Sequence, residues 1–187
     1  MQDSGINRLR RSGKFMVTYT RLKNRFIAKM ATRFPSLAKQ LIDSFTPWES
    51  QDIPWTPVVK PLNKSRVVMI TTAGVHHKSQ TPFDMFDPDG DPTYREIDST
   101  KPLSDLMITH DYYDHTDADK DINIVFPLDR LKEFEKEGYL GSVANFHYSF
   151  MGHIDGDHIP TLIKISAPEI GKKLKTDGTD IVLLTPG

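Results

Sequence analysis

An α/β domain with a largely parallel sheet is the fold that this 187-residue sequence predicts, and three observations carry the prediction. Residues 66–72 form a short, apolar, β-branched run that passes through Ala73 and stops at Gly74, the pattern of a buried strand. Residues 180–185 repeat that pattern near the end of the chain. Between them lie segments with helix start and stop signals, and strands alternating with helices favour parallel pairing.

The elements follow in order. Phe15, Tyr19, Leu22, Phe26, Ile27, Met30, Phe34, Leu37, Leu41 and Phe45 recur every three or four positions, with Pro35 interrupting, so 15–45 reads as two amphipathic helices or one kinked helix. Pro47, Pro54, Pro57 and Pro61, together with both tryptophans, make 46–65 an extended connector. After the first strand, 78–101 is rich in Pro, Asp and Gly and reads as a long ordered loop anchored by Phe83, Met85, Phe86 and Tyr94. Residues 103–109 are a second short strand. Asp129 is placed as the cap of a helix reaching Glu137, with Leu131 and Phe134 inward and Gly138 as its stop. Ser166 and Pro168 open a helix that Gly178 closes. The stretch 141–161 fits no single element. The organisation expected is a helical arm over 1–45, a connector over 46–65 and an α/β domain over 66–187, with a Rossmann-like sheet flanked by helices.

Charge separates the arm from the rest. The first 45 residues hold ten Lys or Arg against Asp3 and Asp43, whereas the remainder holds fourteen basic and twenty-three acidic residues. A basic helical arm suits nucleic acid, an anionic membrane surface, an acidic partner subunit or plain solvent. No run approaches the roughly 20 apolar residues that span a bilayer, and no signal-peptide pattern is present, so a cytoplasmic location is expected. The absence of Cys excludes disulfides and any thiol nucleophile or thiolate metal site within these residues.

Three polar motifs each follow a strand: 74–77, 110–121 and 185–187. Open α/β sheets bind ligands beyond the carboxyl ends of their strands, so these motifs are the candidate site. His76, His77, His110, Asp114, His115, His147, Thr185 and Gly187 are its candidate residues. Adjacent histidines in a loop also serve ordinary hydrogen bonding, and the acidic run also suits helix capping. His110, Asp114 and His115 match part of a metallo-hydrolase motif, but Tyr112 stands where an imidazole is required. Asp117, Asp119 and Asp121 imitate an EF-hand start, but Ile122 replaces its Gly and Leu128 its final Glu. Phosphate loops, serine-hydrolase elbows and zincin helices are absent from the sequence.

Seven segments, 71–80, 82–85, 90–96, 115–123, 125–131, 147–152 and 183–187, resemble in order the selenoprotein B family of glycine, sarcosine, betaine and proline reductases. The resemblance spans about residues 46–187. It implies a subunit of a cytoplasmic reductase with a small zwitterionic, amino-acid-like substrate. Its partners would be other reductase subunits or an electron-donor protein. Neither nucleic acid nor a membrane span is implied. In that family a selenocysteine or cysteine, followed two residues later by cysteine, comes directly after a segment like Leu183–Gly187. The expectation is therefore a chain truncated at an in-frame selenocysteine codon, with no catalytic nucleophile and no cofactor of its own, and with selenocysteine downstream in the full-length protein. His76, His110 or His115 would stabilise that centre. Two other classes stay open: a metal-dependent hydrolase or metal-binding module on His110, Asp114 and His115, and a folded remnant with a protein-binding role.

Overall fold

The computed structural model describes residues 4–43 and 56–187. It divides into two compact units, one holding the two N-terminal helices with Asp111–Asp114 and the other holding the sheets and remaining helices. The first half of the expected connector, 46–55, lies outside the described residues.

In the first unit α1 spans Ser4–Arg33 and α2 spans Pro35–Asp43. The break falls at Phe34 because the proline ring disfavours helical backbone in the residue before it and removes one amide donor. Ala28 is buried, and Arg21 makes a charge-assisted pair with Asp111.

The second unit is organised around β1 (Arg66–Thr71), whose Val67, Val68 and Met69 are almost wholly buried. Along one edge runs β7 (Ile181–Thr185), parallel and in register from Val67↔Ile181 to Thr71↔Thr185. Two short parallel strands share β1's other edge, β5 (Ser142–Val143) at its start and β6 (Phe146–Phe150) at its end. Antiparallel to β6 runs β3 (Tyr94–Asp98). A separate antiparallel pair joins β2 (Val75–His77) to β4 (Leu106–Ile108).

Each face of the main sheet is covered by a different segment. Val68, Tyr148 and Phe150 pack with Ile170, Leu162 and Leu174 of a long helical run. That run comprises α4 (His158–Thr161), a π-helical turn at Leu162–Ser166 and α5 (Ala167–Thr176). Alternation sends Thr71 and His147 to the opposite face, where they meet Val125 and Phe126 ahead of α3 (Leu128–Lys136).

The mixed α/β composition and the mostly parallel sheet agree with the sequence reading, while several details differ. The sheet shares a parallel centre with a Rossmann-like layout, but it carries an antiparallel strand, and no helix separates β5 from β6. The expected loop 78–101 contains β3, and the unassigned stretch 141–161 supplies β5, β6 and α4. The last helical run begins eight residues before Ser166, because the wide π turn ahead of Pro168 accommodates a residue without an amide donor. Helix α3 starts at Leu128 without a side-chain cap, and Asp129 instead receives the Asn123 amide. Phe134 is 48% exposed and so only partly inward. Strand β7 is less buried than its sequence predicts, with Leu184 71% exposed.

Candidate functional site

The carboxyl ends of β1, β6 and β7 lie side by side because all three strands run parallel. The Thr72 amide donates to the Thr185 carbonyl at 3.0 Å, continuing the ladder one residue past β1. Thr71 and Thr185 both donate their hydroxyls to the Val125 carbonyl, at 3.1 and 2.9 Å. Thr71 Oγ1 also accepts the Ala73 amide at 3.2 Å. Pro186 and Gly187 therefore leave from a strand end anchored on two sides.

Two glycines allow other segments to close on this edge. Gly74 has φ +70°, donates to the Phe150 carbonyl at 2.9 Å and accepts the Thr109 amide at 2.9 Å. Gly152 has φ +98°, and a Cβ there would stand 2.3 Å from the Thr72 carbonyl oxygen and 3.4 Å from His110 Nε2. His110 thus reaches the edge formed by Thr72 and Gly152, itself 8% exposed. Thr72, Gly74, His110, Gly152 and Thr185 are the residues brought together.

The other histidines have separate structural surroundings. His76 is fully buried on β2; its Nδ1 donates to the His77 carbonyl at 2.9 Å, and its Nε2 accepts from the Thr109 hydroxyl at 2.8 Å. Burial lowers its pKa and keeps the ring neutral. His77 Nε2 accepts the Asp98 amide at 3.0 Å, and burial lowers its pKa as well. His115 Nδ1 bonds Asp119 at 2.8 Å. Asp114 falls in the first unit.

His147 replaces a piece of backbone. Between Val67↔Val143 and Ile70↔Tyr148 the partner chain advances five residues while β1 advances three, so the ladder has a gap. His147 Nδ1 fills it by accepting the Met69 amide at 2.9 Å. Nδ1 must be unprotonated to accept, which places the proton on Nε2. Burial lowers the pKa to about 4. Its Nε2 has no hydrogen-bond partner among the described residues.

Beside β4 lies a cavity of about 430 Å³ lined by Lys78, Leu106, Ile108, Asp119, Asp121 and Asn123 among others. It carries both charge signs, and the strand-end residues Thr72, Gly152 and Thr185 do not line it. Among the described residues no group of three or more His, Cys, Asp or Glu side chains converges to hold a metal ion, so the metallo-hydrolase reading has no geometric support.

Sequence reasoning did not single out Thr71, Thr109, Val125 or Gly152. Gly152 had a detectable signal, a glycine two residues after an aromatic strand. Val125 contributes only a carbonyl, which no side chain advertises.

The profile of glycine/sarcosine/betaine reductase selenoprotein B matches residues 42–187. The chain is 38% identical over 133 residues to the D-proline reductase subunit gamma of Acetoanaerobium sticklandii, covering 71% of this chain and 53% of that one. It is 30% identical over 142 residues to the sarcosine reductase complex component B subunit beta of Peptoclostridium acidaminophilum, covering 71% and 30%. Against the betaine reductase complex component B subunit beta of the same organism it is 30% identical over 141 residues, covering 68% and 29%. The chain thus spans about half the length of the first of these relatives and under a third of the other two. No solved structure gives a significant match. Among the described residues no helix is long and apolar enough to cross a membrane.

Proposed function

The chain belongs to the glycine/sarcosine/betaine reductase selenoprotein B family, and on that premise we propose that it is the amino-terminal part of a reductase-complex subunit whose redox residue follows Gly187. The anchoring of β7 carries this reading. Thr185 is fixed to Thr72 and to the Val125 carbonyl, so a residue attached after Gly187 leaves from the carboxyl edge of a parallel sheet, where α/β folds place ligands.

The proposed redox residue is selenocysteine, encoded at an in-frame codon otherwise read as stop. A selenolate is a strong nucleophile at neutral pH and is readily reduced again, the properties needed to attack a substrate carbon and later leave it. His110 is the group best placed to stabilise it, because its ring reaches the same edge. The substrate class is a small amino-acid-like zwitterion such as glycine, sarcosine, betaine or proline. Other reductase subunits and an electron-donor protein are the proposed partners, in the cytoplasm.

The test is expression of the extended reading frame with selenium incorporation, followed by assay of substrate-dependent oxidation of a dithiol with each of the four substrates. Turnover with one of them, abolished when the residue after Gly187 is replaced by Ala, is expected. Full-length, selenium-containing protein that turns over none of them in the presence of its partner subunits contradicts the proposal.

A further inference from the structure

Helix α1 leaves a large apolar stripe uncovered. Tyr19, Leu22 and Phe26 are 65%, 61% and 65% exposed, although aromatic and leucine side chains of that size are usually the ones a helix buries. Their spacing of three and four residues puts all three on one side of α1. The side that is covered is a different one, with Ala28 buried and Arg21 held by Asp111. An apolar stripe of this kind marks a contact surface rather than a scattered exposed residue.

The charge around the stripe indicates what it contacts. At 100° per residue, Lys23 falls on one flank of the stripe and Lys29 on the other, while Arg33 continues its line by two turns from Phe26. Lys23, Arg25, Lys29 and Arg33 are all exposed, and none makes an ion pair among the described residues. Residues 4–42 contain ten Lys or Arg and no Asp or Glu. The family match begins only at residue 42, so this helix lies outside the matched segment.

We propose that α1 is a membrane-surface helix that lies on anionic lipid. In that pose Tyr19, Leu22 and Phe26 enter the boundary between headgroups and acyl chains, and the flanking cations remain at the level of the phosphates with their methylene stems in contact with lipid. An acidic protein surface would satisfy the charges, but it would not require cations on both flanks of a continuous apolar stripe. The helix anchors the subunit peripherally, without spanning the bilayer. The inference is independent of the reductase reading.

The test is co-sedimentation of the 187-residue chain with large vesicles of phosphatidylcholine alone or with phosphatidylglycerol added at one part in three. Partitioning onto the anionic vesicles at least about tenfold stronger, and weakened by added salt, is expected. A chain carrying Tyr19→Ser, Leu22→Ser and Phe26→Ser should lose that binding while keeping its far-ultraviolet circular dichroism. One carrying Lys23→Gln, Lys29→Gln and Arg33→Gln should weaken it by about 100-fold. Equal partitioning onto both vesicle types, or serine substitutions without effect, overturns the proposal. Concentration-dependent self-association, or binding to a duplex oligonucleotide in preference to vesicles, that the same substitutions abolish assigns the stripe to another partner and also overturns it.

Discussion

The hydroxyls of Thr71 and Thr185, paired residues on adjacent parallel strands, converge on one acceptor, the Val125 carbonyl. A carbonyl oxygen has two lone pairs, and here both are taken by side chains from the sheet. The arrangement ties two strand ends to the segment leading into α3 and fixes where the chain goes after Thr185.

Valine at either position keeps the shape and removes the donor. Thr185→Val is expected to cost about 1 kcal/mol, and Thr71→Val about 2 kcal/mol because its oxygen also accepts the Ala73 amide. The double variant should cost more than the sum, since only then does the Val125 carbonyl lose both donors. Urea unfolding of the four proteins measures this, and strict additivity would show that the two hydroxyls do not share an acceptor.

His147 gives stability a pH dependence. Its pKa in the folded chain is about 4, against about 6.5 for an unperturbed histidine. The unfolded chain therefore binds the proton first as pH falls, and the stability held above about pH 6.5 declines until about pH 4, by roughly 3 kcal/mol. Burial of His76 and His77 acts in the same direction. His147→Gln should flatten this decline in urea midpoints between pH 7 and pH 4 and lower stability at pH 7. A slope identical to that of the parent would exclude His147 as its source.

Gly152 and Gly138 form a matched comparison, both with positive φ. Alanine at Gly138 meets nothing within 4 Å and should cost about 1 kcal/mol in backbone strain alone. At Gly152 the added carbon would sit 2.3 Å from the Thr72 carbonyl oxygen, so a loss above about 3 kcal/mol is expected. Thermal unfolding of the two variants distinguishes these outcomes, and equal losses would contradict the close approach at the sheet edge.

His110 and His76 should separate by phenotype. In the full-length protein His110→Ala is expected to lower kcat by about 100-fold or more in a preparation that remains folded. His76→Ala should instead lower stability by about 2 kcal/mol, because it removes the hydrogen bond that ties β2 to the Thr109 hydroxyl and the bond to the His77 carbonyl. Activity and unfolding measured on the same preparations test the assignment, and a His110 variant with unchanged turnover would remove it from the site.

The legible parts of the fold were those with uniform composition. Strands β1 and β7 are continuous apolar runs, and Pro35 announces the helix break, so each reads directly from the sequence. Strands β3 and β6 were hidden because Arg95, Glu96, His147 and Ser149 interrupt their apolar residues. The start of the last helical run was masked by Pro160, which argues against a helix interior, and by Pro168, which reads as a first-turn residue and moved the expected start to Ser166. Of the candidate site, Thr185 and His110 were chosen because each follows a strand, and the structure places both at the edge where β1 ends. The hydrogen-bonding roles of His76, His77 and His147 depend on amides, carbonyls and a hydroxyl from distant segments, which no local pattern encodes.

Whether the redox residue follows Gly187 is decided by the nucleotide sequence immediately downstream of the Gly187 codon. UGA is expected there, then an in-frame continuation with a cysteine codon two positions beyond it. An ordinary terminator with no continuing frame, or a continuation without selenocysteine or cysteine at that position, would contradict it.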